Sequence, residues 1–158
     1  MVVGINVELK FDGALALSRK KFNDTLKQEY EEIGLTWHKK HRPRHFTLDG
    51  ARRYGYAKRS RGYNRSKKRQ FGHTLPLVKT GKSRARATQI SRIKPTRTNV
   101  SVSVPVRTFN FRPANSNVNM RKEFSTIARD EVQVYERQFK RNVERKLQGF
   151  RAPKQRIK

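Results

Sequence analysis

The sequence predicts an α+β fold in which two long helices cover a small antiparallel sheet, and three observations support this prediction. Two segments alternate apolar and polar residues, as strands with one buried face do. Two others repeat apolar residues every three or four positions, as amphipathic helices do. The predicted order of strand, long helix, strands and long helix suits one two-layer domain. We place this domain at residues 1–150, with a basic tail at 151–158.

The N-terminal part supplies one predicted strand and one long helix. The apolar positions of the strand are Val3, Ile5, Val7, Leu9 and Phe11. The helix is predicted over about 14–40, and its apolar stripe is Phe22, Leu26, Tyr30, Ile33 and Trp37. Gly34 lies inside this helix, where a kink or a close contact is expected. Pro43 is expected to end it.

The C-terminal part supplies the remaining strands and the second long helix. A strand is predicted over 85–93, a hairpin connection over 94–99, and a second strand from the alternating valines Val100, Val102, Val104 and Val106. A loop over 108–120 and a short extended piece over 122–126 follow. The last helix is predicted over 129–148, with acids in its first turn and cations in its last, as the helix dipole favours. Its apolar stripe is Val132, Tyr135, Phe139, Val143 and Leu147.

Charge is the strongest compositional signal. The 158 residues include 39 Lys and Arg against 12 Asp and Glu, a formal net charge of +27. Most of the excess lies between His38 and Arg97, where twenty basic residues and one acid, Asp49, supply +19 of it. A compact body with this charge repels itself, and an anionic partner offsets the repulsion. The composition therefore predicts nucleic acid, or an acidic protein surface inside a larger assembly, as the partner.

The basic segment at about 38–73 is predicted to form an extended or irregular arm, or short helices, along a partner. Leu48 is placed to open one such helix, with Asp49 as its N-cap. Lysines and arginines neutralise phosphates, while tyrosines either stack on exposed bases or anchor the arm on a neighbouring subunit, and the sequence leaves both open. The candidate contact residues are Arg52, Arg53, Tyr54, Tyr56, Lys58, Arg59, Arg61, Tyr63, Lys67, Lys68 and Arg69.

One short motif suggests phosphate binding but departs from the pattern it resembles. The run GKS at 81–83 is similar to the end of a phosphate-binding loop. Pro76 stands where that motif needs its first glycine, and it has no N–H to donate to a phosphate. A basic turn between two extended segments is therefore predicted here.

Three histidines have the spacing of metal ligands on a helix. His38, His41 and His45 are three and four residues apart and would share one face of a continuous helix. Pro43 interrupts that helix, and neighbouring cations disfavour a divalent metal. We therefore predict no metal site, and expect these histidines to contact phosphate or solvent.

The acidic residues do not suggest catalysis, because they are predicted to lie on the polar sides of the two long helices. These acids are Glu29, Glu31, Glu32, Glu131, Glu136 and Glu144. Acid–base chemistry needs paired groups in a cleft, so we expect no enzyme, no cofactor and no small-molecule substrate. The chain has no cysteine, so no disulfide is expected, and no apolar run is long enough to cross a bilayer, so no membrane partner is expected. We expect the protein to be made in a cytoplasm.

Three stretches of the sequence together resemble a known family of proteins. The first is HFTLDGARRYGY at 45–56, the second is GHTLPLVKTG at 72–81, and the third is MRKEF at 120–124, followed by a helix opening at 129–130. They resemble the tail-completion or virion-morphogenesis proteins of tailed bacteriophages and related neck proteins. In those families a turn with this PL…TG pattern leads into a β-hairpin, and a late loop leads to a C-terminal helix.

The resemblance implies a structural virion protein without enzymatic activity, assembled in the host cytoplasm as a ring-forming subunit of the head–tail connector. Its partners would be copies of itself, portal, adaptor, capsid or tail subunits, and genomic DNA as a further candidate. The alternative is a sequence-nonspecific nucleic-acid-binding protein, either ribosome-associated or genome-packaging.

Overall fold

The structure, a computed structural model, describes residues 2–6, 18–89, 92–104, 109 and 116–148. Within these ranges the chain forms an α+β fold, which confirms the predicted class. The elements are β1 (Val2–Asn6), α1 (Arg19–Thr36), α2 (Leu48–Arg53), α3 (Arg61–Phe71), α4 (Lys82–Thr88), β2 (Ile93–Pro95), β3 (Asn99–Ser103), α5 (Met120–Ser125) and α6 (Arg129–Gln148).

The strands form one antiparallel sheet in the order β1-β3-β2. β3 lies in the centre, with Val3 of β1 and Ile93 of β2 both opposite Val102. Val100 and Val102 are fully buried, as the alternation predicted, because one face of the sheet packs against α1. The predicted hairpin connection is present but shorter than 94–99, because β2 ends at Pro95 and β3 begins at Asn99. The later part of the first predicted strand, 7–11, lies outside the described residues.

The two long helices pack against each other through their predicted apolar stripes. The rings of Tyr30 on α1 and Phe139 on α6 lie with centroids 4.5 Å apart. Trp37, Tyr135 and Val143 are fully buried in the same core. α6 has the predicted bounds, while α1 begins later than predicted because the Ser18 hydroxyl caps it, accepting from the N–H three residues on.

Gly34 allows α1 to lie directly on the sheet. A Cβ atom at this position would be 2.9 Å from the Cγ2 atoms of both Ile93 and Val100. Since real Cβ atoms do not approach other carbons this closely, the absence of a side chain sets the distance between helix and sheet. The expected close contact at Gly34 is therefore confirmed.

The chain continues directly from α1 into two short helical turns of different type. Trp37–His41 forms a π-helical turn and Arg42–Phe46 a 3₁₀ helix, with Pro43 in the first turn of the latter, where its missing N–H removes no intrahelical bond. These changes in helix type turn His38, His41 and His45 into the interior, where the residues are 8%, 7% and 0% exposed. The prediction that these histidines contact phosphate or solvent is wrong.

The predicted extended or irregular arm over 38–73 is largely helical and partly in the core, as the short-helix alternative proposed. Its helices form because each has a local cap. Thr47, and not Asp49 as predicted, caps α2 by accepting from the N–H of Gly50 at 3.0 Å. Ser60 caps α3, and Gly72 ends it in the left-handed conformation that glycine favours.

Two further segments are helical where extended structure was predicted. Residues 82–88 form α4, because their Ala, Arg and Lys are good helix formers and β-branched residues are few. Residues 120–125 form α5, since the Asn119 side chain accepts from the N–H of Lys122 at 3.0 Å and nucleates the turn. Among the described helices, none is long and apolar enough to span a bilayer.

Candidate functional site

The candidate contact residues separate into two groups in the structure. One group is buried or engaged in ion pairs and hydrogen bonds within the protein: Arg53, Tyr54, Tyr56, Arg59 and Lys67. The other is exposed: Arg52, which pairs with the exposed Asp49, and Lys58, Arg61, Tyr63, Lys68 and Arg69. The residues of the first group, which hold the helices and loops together, are called the frame. The second group lies on the surface of the protein.

A buried carboxylate, Glu131 at the start of α6, is the centre of the frame. Its Oε1 atom accepts a 2.6 Å hydrogen bond from the Tyr54 hydroxyl and lies 2.9 Å from His41 Nδ1 and 3.4 Å from Arg53 Nε. Burial alone would raise the pKa of Glu131, but the close contact with His41 and the hydrogen bond from Tyr54 outweigh this effect and lower the pKa to about 2. We call these four residues the Glu131 cluster; Arg53 also pairs with Asp130.

The predicted exposure of the acids is wrong for Glu131 and for Glu29. Glu29 is buried between the long helices, where its carboxylate accepts from Asn142 Nδ2 at 2.9 Å and lies 2.6 Å from Lys146 Nζ. A signal in the sequence could have shown this. Glu29 lies four residues before Ile33, and Glu131 four residues before Tyr135, so each acid falls on the line of a buried helical stripe.

His45 joins two of the candidate tyrosines to the core. Its ring stacks on Tyr54 with centroids 3.7 Å apart and planes 5° from parallel, and its Nδ1 lies 2.6 Å from the Tyr56 hydroxyl. Burial lowers the pKa of His45 to about 4, so the ring is neutral at neutral pH. Because their rings and hydroxyls are held in this way, neither tyrosine is available to stack on a base, and that predicted role is corrected.

A second buried acid, Glu123 on α5, fixes the approach to α3. Its two oxygens accept from the Arg59 guanidinium at 2.8 and 2.6 Å, and Oε1 also accepts from the N–H of Ala57 at 3.1 Å. This two-point pairing raises the pKa of Arg59, led by the hydrogen bond to Glu123. Arg59 is therefore a positioning residue rather than a free cation.

Lys67 attaches α3 to the segment that follows it. It is the one buried residue of this helix, and its ammonium donates to the carbonyl of Leu75 and lies 5.7 Å from the centre of the Tyr63 ring. Burial lowers the pKa of Lys67. On the same side of the helix, Lys79 Nζ lies 5.6 Å from the centre of the Phe71 ring.

The exposed face of α3 carries a row of cations that we call the basic stripe: Arg61, Arg65, Lys68 and Arg69. Their spacing of four, three and one residues places them on one side of the helix. Three of them are among the contact residues predicted from the sequence. Arg65 is not, although its four-residue step from Arg61 could have indicated it. The sequence has no Asp or Glu between Asp49 and Glu123, so no acidic residue of that segment neutralises the stripe.

Three exposed candidates lie outside the stripe: Arg52, Lys58 and Tyr63. Lys58 precedes α3. Arg52 pairs with Asp49 at 2.6 Å on the surface, which adds little stability. Tyr63, with half of its surface exposed, lies on the opposite side of α3 from the stripe. The stripe is thus built of cations alone.

Arg42 is a structural residue that the sequence did not single out. Its guanidinium is fully buried, donates to the carbonyl of Gln89 at 2.8 Å, contacts His38 Nε2 at 3.2 Å and lies 5.6 Å from the Trp37 ring centre. Burial lowers the pKa of Arg42 to about 10. Arg42 therefore ties the turn after α1 to the segment after α4.

Two sequence motifs with the spacing of ligand-binding sites, the three histidines and the GKS run, lie within the described residues. In these parts of the chain, no group of three or more His, Asp or Glu is placed to hold a metal ion. The GKS run does not lie between extended segments as predicted, because Gly81, at φ +83°, precedes α4 directly. Lys82 and Ser83 of the run are the first two residues of this seven-residue helix.

We expect the neutral state of His45 to make the fold sensitive to mild acid. Because its pKa is lower when folded, stability that is present above about pH 6.5 is lost as the pH falls towards 4. His45→Phe keeps a ring against Tyr54 but cannot be protonated, so its free energy of unfolding should fall less steeply over this range. Urea unfolding at steps from pH 7.5 to 4.5 measures both slopes, and equal slopes would contradict the prediction.

Comparisons with known proteins do not assign this surface to a known site. The chain matches no protein-family model, and the searches of curated proteins and of solved structures found no match.

Proposed function

We propose that this protein is a structural virion protein of a tailed phage, a ring-forming head–tail connector or tail-completion subunit that joins head and tail by shape and charge complementarity. The observation that carries this proposal is the division of charge between interior and surface. The buried acids Glu29, Glu123 and Glu131 are used to fasten helices and loops together. The cations of α3 remain exposed on the surface.

The stretches that resemble phage proteins belong to one packed unit, which supports the proposal. The His45 ring of the first stretch lies 5.3 Å from the Phe124 ring of the third, and Tyr54 of the first donates to Glu131 at the helix start. Leu77 of the second stretch is buried in the same apolar core. The stretches that carry the resemblance therefore contribute residues to the packed core of the molecule.

The net charge supports a role within an assembly. In a ring of identical copies, each with a formal charge of +27, like charges lie side by side and destabilise the ring. Anionic neighbours offset this repulsion. Portal, adaptor, capsid or tail subunits with acidic surfaces, or the genomic DNA at the junction, would supply the opposite charge.

A second candidate function rests on the basic stripe. A sequence-nonspecific nucleic-acid-binding protein, ribosome-associated or genome-packaging, would also display cations on one face of a helix. It differs from the connector in its location, because it would sediment with ribosomes or condensed genome rather than with joined particles.

Deletion of the gene from the encoding phage tests the leading proposal. We expect electron micrographs to show filled heads and separate tails, with intact virions restored by the wild-type protein supplied in trans. Mass spectrometry of purified virions should detect the protein in a fixed number of copies. Normal numbers of joined, infectious particles after deletion would refute the connector function, and co-sedimentation with ribosomes would favour the second candidate.

A further inference from the structure

We propose that the basic stripe of α3 binds the phosphate backbone of duplex DNA without reading its sequence. This inference deepens the proposed function, on which its biological setting rests, by naming the anionic partner of one surface. The residues in contact would be Arg61, Arg65, Lys68 and Arg69.

The dimensions of the stripe suit a phosphate backbone. Arg61 and Arg69 are eight residues apart, which is about 12 Å along the helix axis. Duplex DNA carries roughly one negative charge per 1.7 Å of its axis, so a stretch of this length offers more phosphates than the stripe has cations. Every stripe residue is exposed, and all lie within about 100° of the helix circumference, so that one surface can meet them together.

The composition of the stripe favours DNA over an acidic protein. Protein interfaces have a core of buried apolar or aromatic side chains. The stripe contains no apolar residue, and Tyr63, the exposed aromatic of α3, lies on the other side of the helix. A surface with charge and no anchor is typical of binding to phosphates.

The positions of the tyrosines favour duplex over single-stranded nucleic acid. Binding of single strands depends on aromatic rings that stack on bases beside the cations. Tyr54 and Tyr56 are held by Glu131 and His45, and Tyr63 faces away from the stripe. Because these tyrosines do not stack on bases at this surface, the affinity should depend on the charge density of the nucleic acid, which is higher for duplex than for single-stranded nucleic acid.

Contacts with the rest of the protein hold α3 in place, but the cations of its basic stripe repel one another. Arg59 paired with Glu123, and Lys67 bonded to the Leu75 carbonyl, fix its position. Like charges four residues apart, at Arg61 and Arg65, destabilise a helix, and one of 11 residues is marginal by itself. Phosphates between these cations would remove the repulsion, so DNA should protect the amides of α3 from hydrogen exchange.

Binding to a labelled duplex of mixed sequence, measured by fluorescence anisotropy with the full chain, tests the proposal. The variant combines Arg61→Gln, Arg65→Gln, Lys68→Gln and Arg69→Gln, which keep good helix formers. The matched control removes the same charge from α6 by Arg137→Gln, Lys140→Gln, Arg141→Gln and Arg145→Gln. We expect the α3 variant to bind at least about tenfold more weakly, with a salt slope smaller by roughly 3 to 4, and the control to lose less than about threefold.

Hydrogen exchange of the wild-type chain supplies a second measurement that does not depend on a variant folding. Duplex DNA should slow exchange over 61–71 more than a single strand of equal length or polyglutamate does. Equal losses of affinity in both variants, stronger binding of the single strand, or equal protection by polyglutamate would each overturn the proposal. Because these measurements use the purified chain, their failure leaves the connector function to be judged by the deletion phenotype alone.

Discussion

Replacing Glu131 with alanine should lower the free energy of unfolding by about 3–5 kcal/mol, which is the usual cost of removing one partner from a buried charged network. The change leaves the Tyr54 hydroxyl and His41 without their acceptor and Arg53 without one of its two carboxylates. It also removes the acceptor of the Ala128 N–H, which donates to Glu131 Oε2 at 3.3 Å. Since α2 and α6 are joined here, thermal unfolding should shift downward by about 10 °C.

The matched control for this change lies on the same helix. Glu136 is exposed, so Glu136→Ala should alter the free energy of unfolding by no more than about 0.5 kcal/mol. Glu131→Gln should fall between the two, because the amide oxygen still accepts from Tyr54 but the charge is lost. Chemical unfolding at pH 7 measures all three variants. If Glu131→Ala and Glu136→Ala unfolded alike, the cluster would have no structural role.

The same carboxylate has a predictable acid response. Because its pKa is about 2 when folded and near 4.5 when unfolded, its contribution is present above about pH 4.5 and is lost as the pH falls towards 2. The free energy of unfolding of the wild-type chain should therefore fall with pH over that range, which lies below the range in which His45 is expected to act. The Glu131→Ala variant should lack this lower component.

Replacing Gly50 with alanine should destabilise the fold by about 3 kcal/mol or more, although the position is helical. An added Cβ would lie 1.8 Å from the carbonyl oxygen of Arg44. That carbonyl cannot move freely, because it accepts from both the N–H and the hydroxyl of Thr47, at 3.1 and 2.8 Å. The methyl group therefore forces α2 away from the turn that precedes it.

Gly62→Ala is the matched control for Gly50→Ala. Gly62 lies in α3, has no atom within 4 Å of an added Cβ, and has an ordinary helical backbone. Alanine should therefore be neutral or stabilising by up to about 1 kcal/mol, since it is the better helix former. Thermal melts of the two variants should shift in opposite directions or differ by several degrees. A decrease in melting temperature of similar size in both would contradict the structural explanation.

The long and regular elements of the fold could be predicted from the sequence. The stripe of α6 and the alternation of β3 appear in the sequence because a repeating buried face needs a repeating apolar residue. The same reasoning identified Trp37, Tyr135 and Phe139 as core residues, and each is buried. Short helices such as α4 and α5 have too few residues to show a period, and their caps decide them.

What the sequence determined is the α+β class, the two amphipathic helices and the concentration of positive charge. What the tertiary structure decided is which of those charges and rings are exposed on the surface. Tyr54 and Arg59 lie among the same basic residues as Arg61 and Lys68, yet the former are held by buried acids and the latter are exposed. The physical reason is that Glu131 and Glu123 are distant in sequence from the residues they hold. Such pairing arises only when the helices pack, and no local pattern records it.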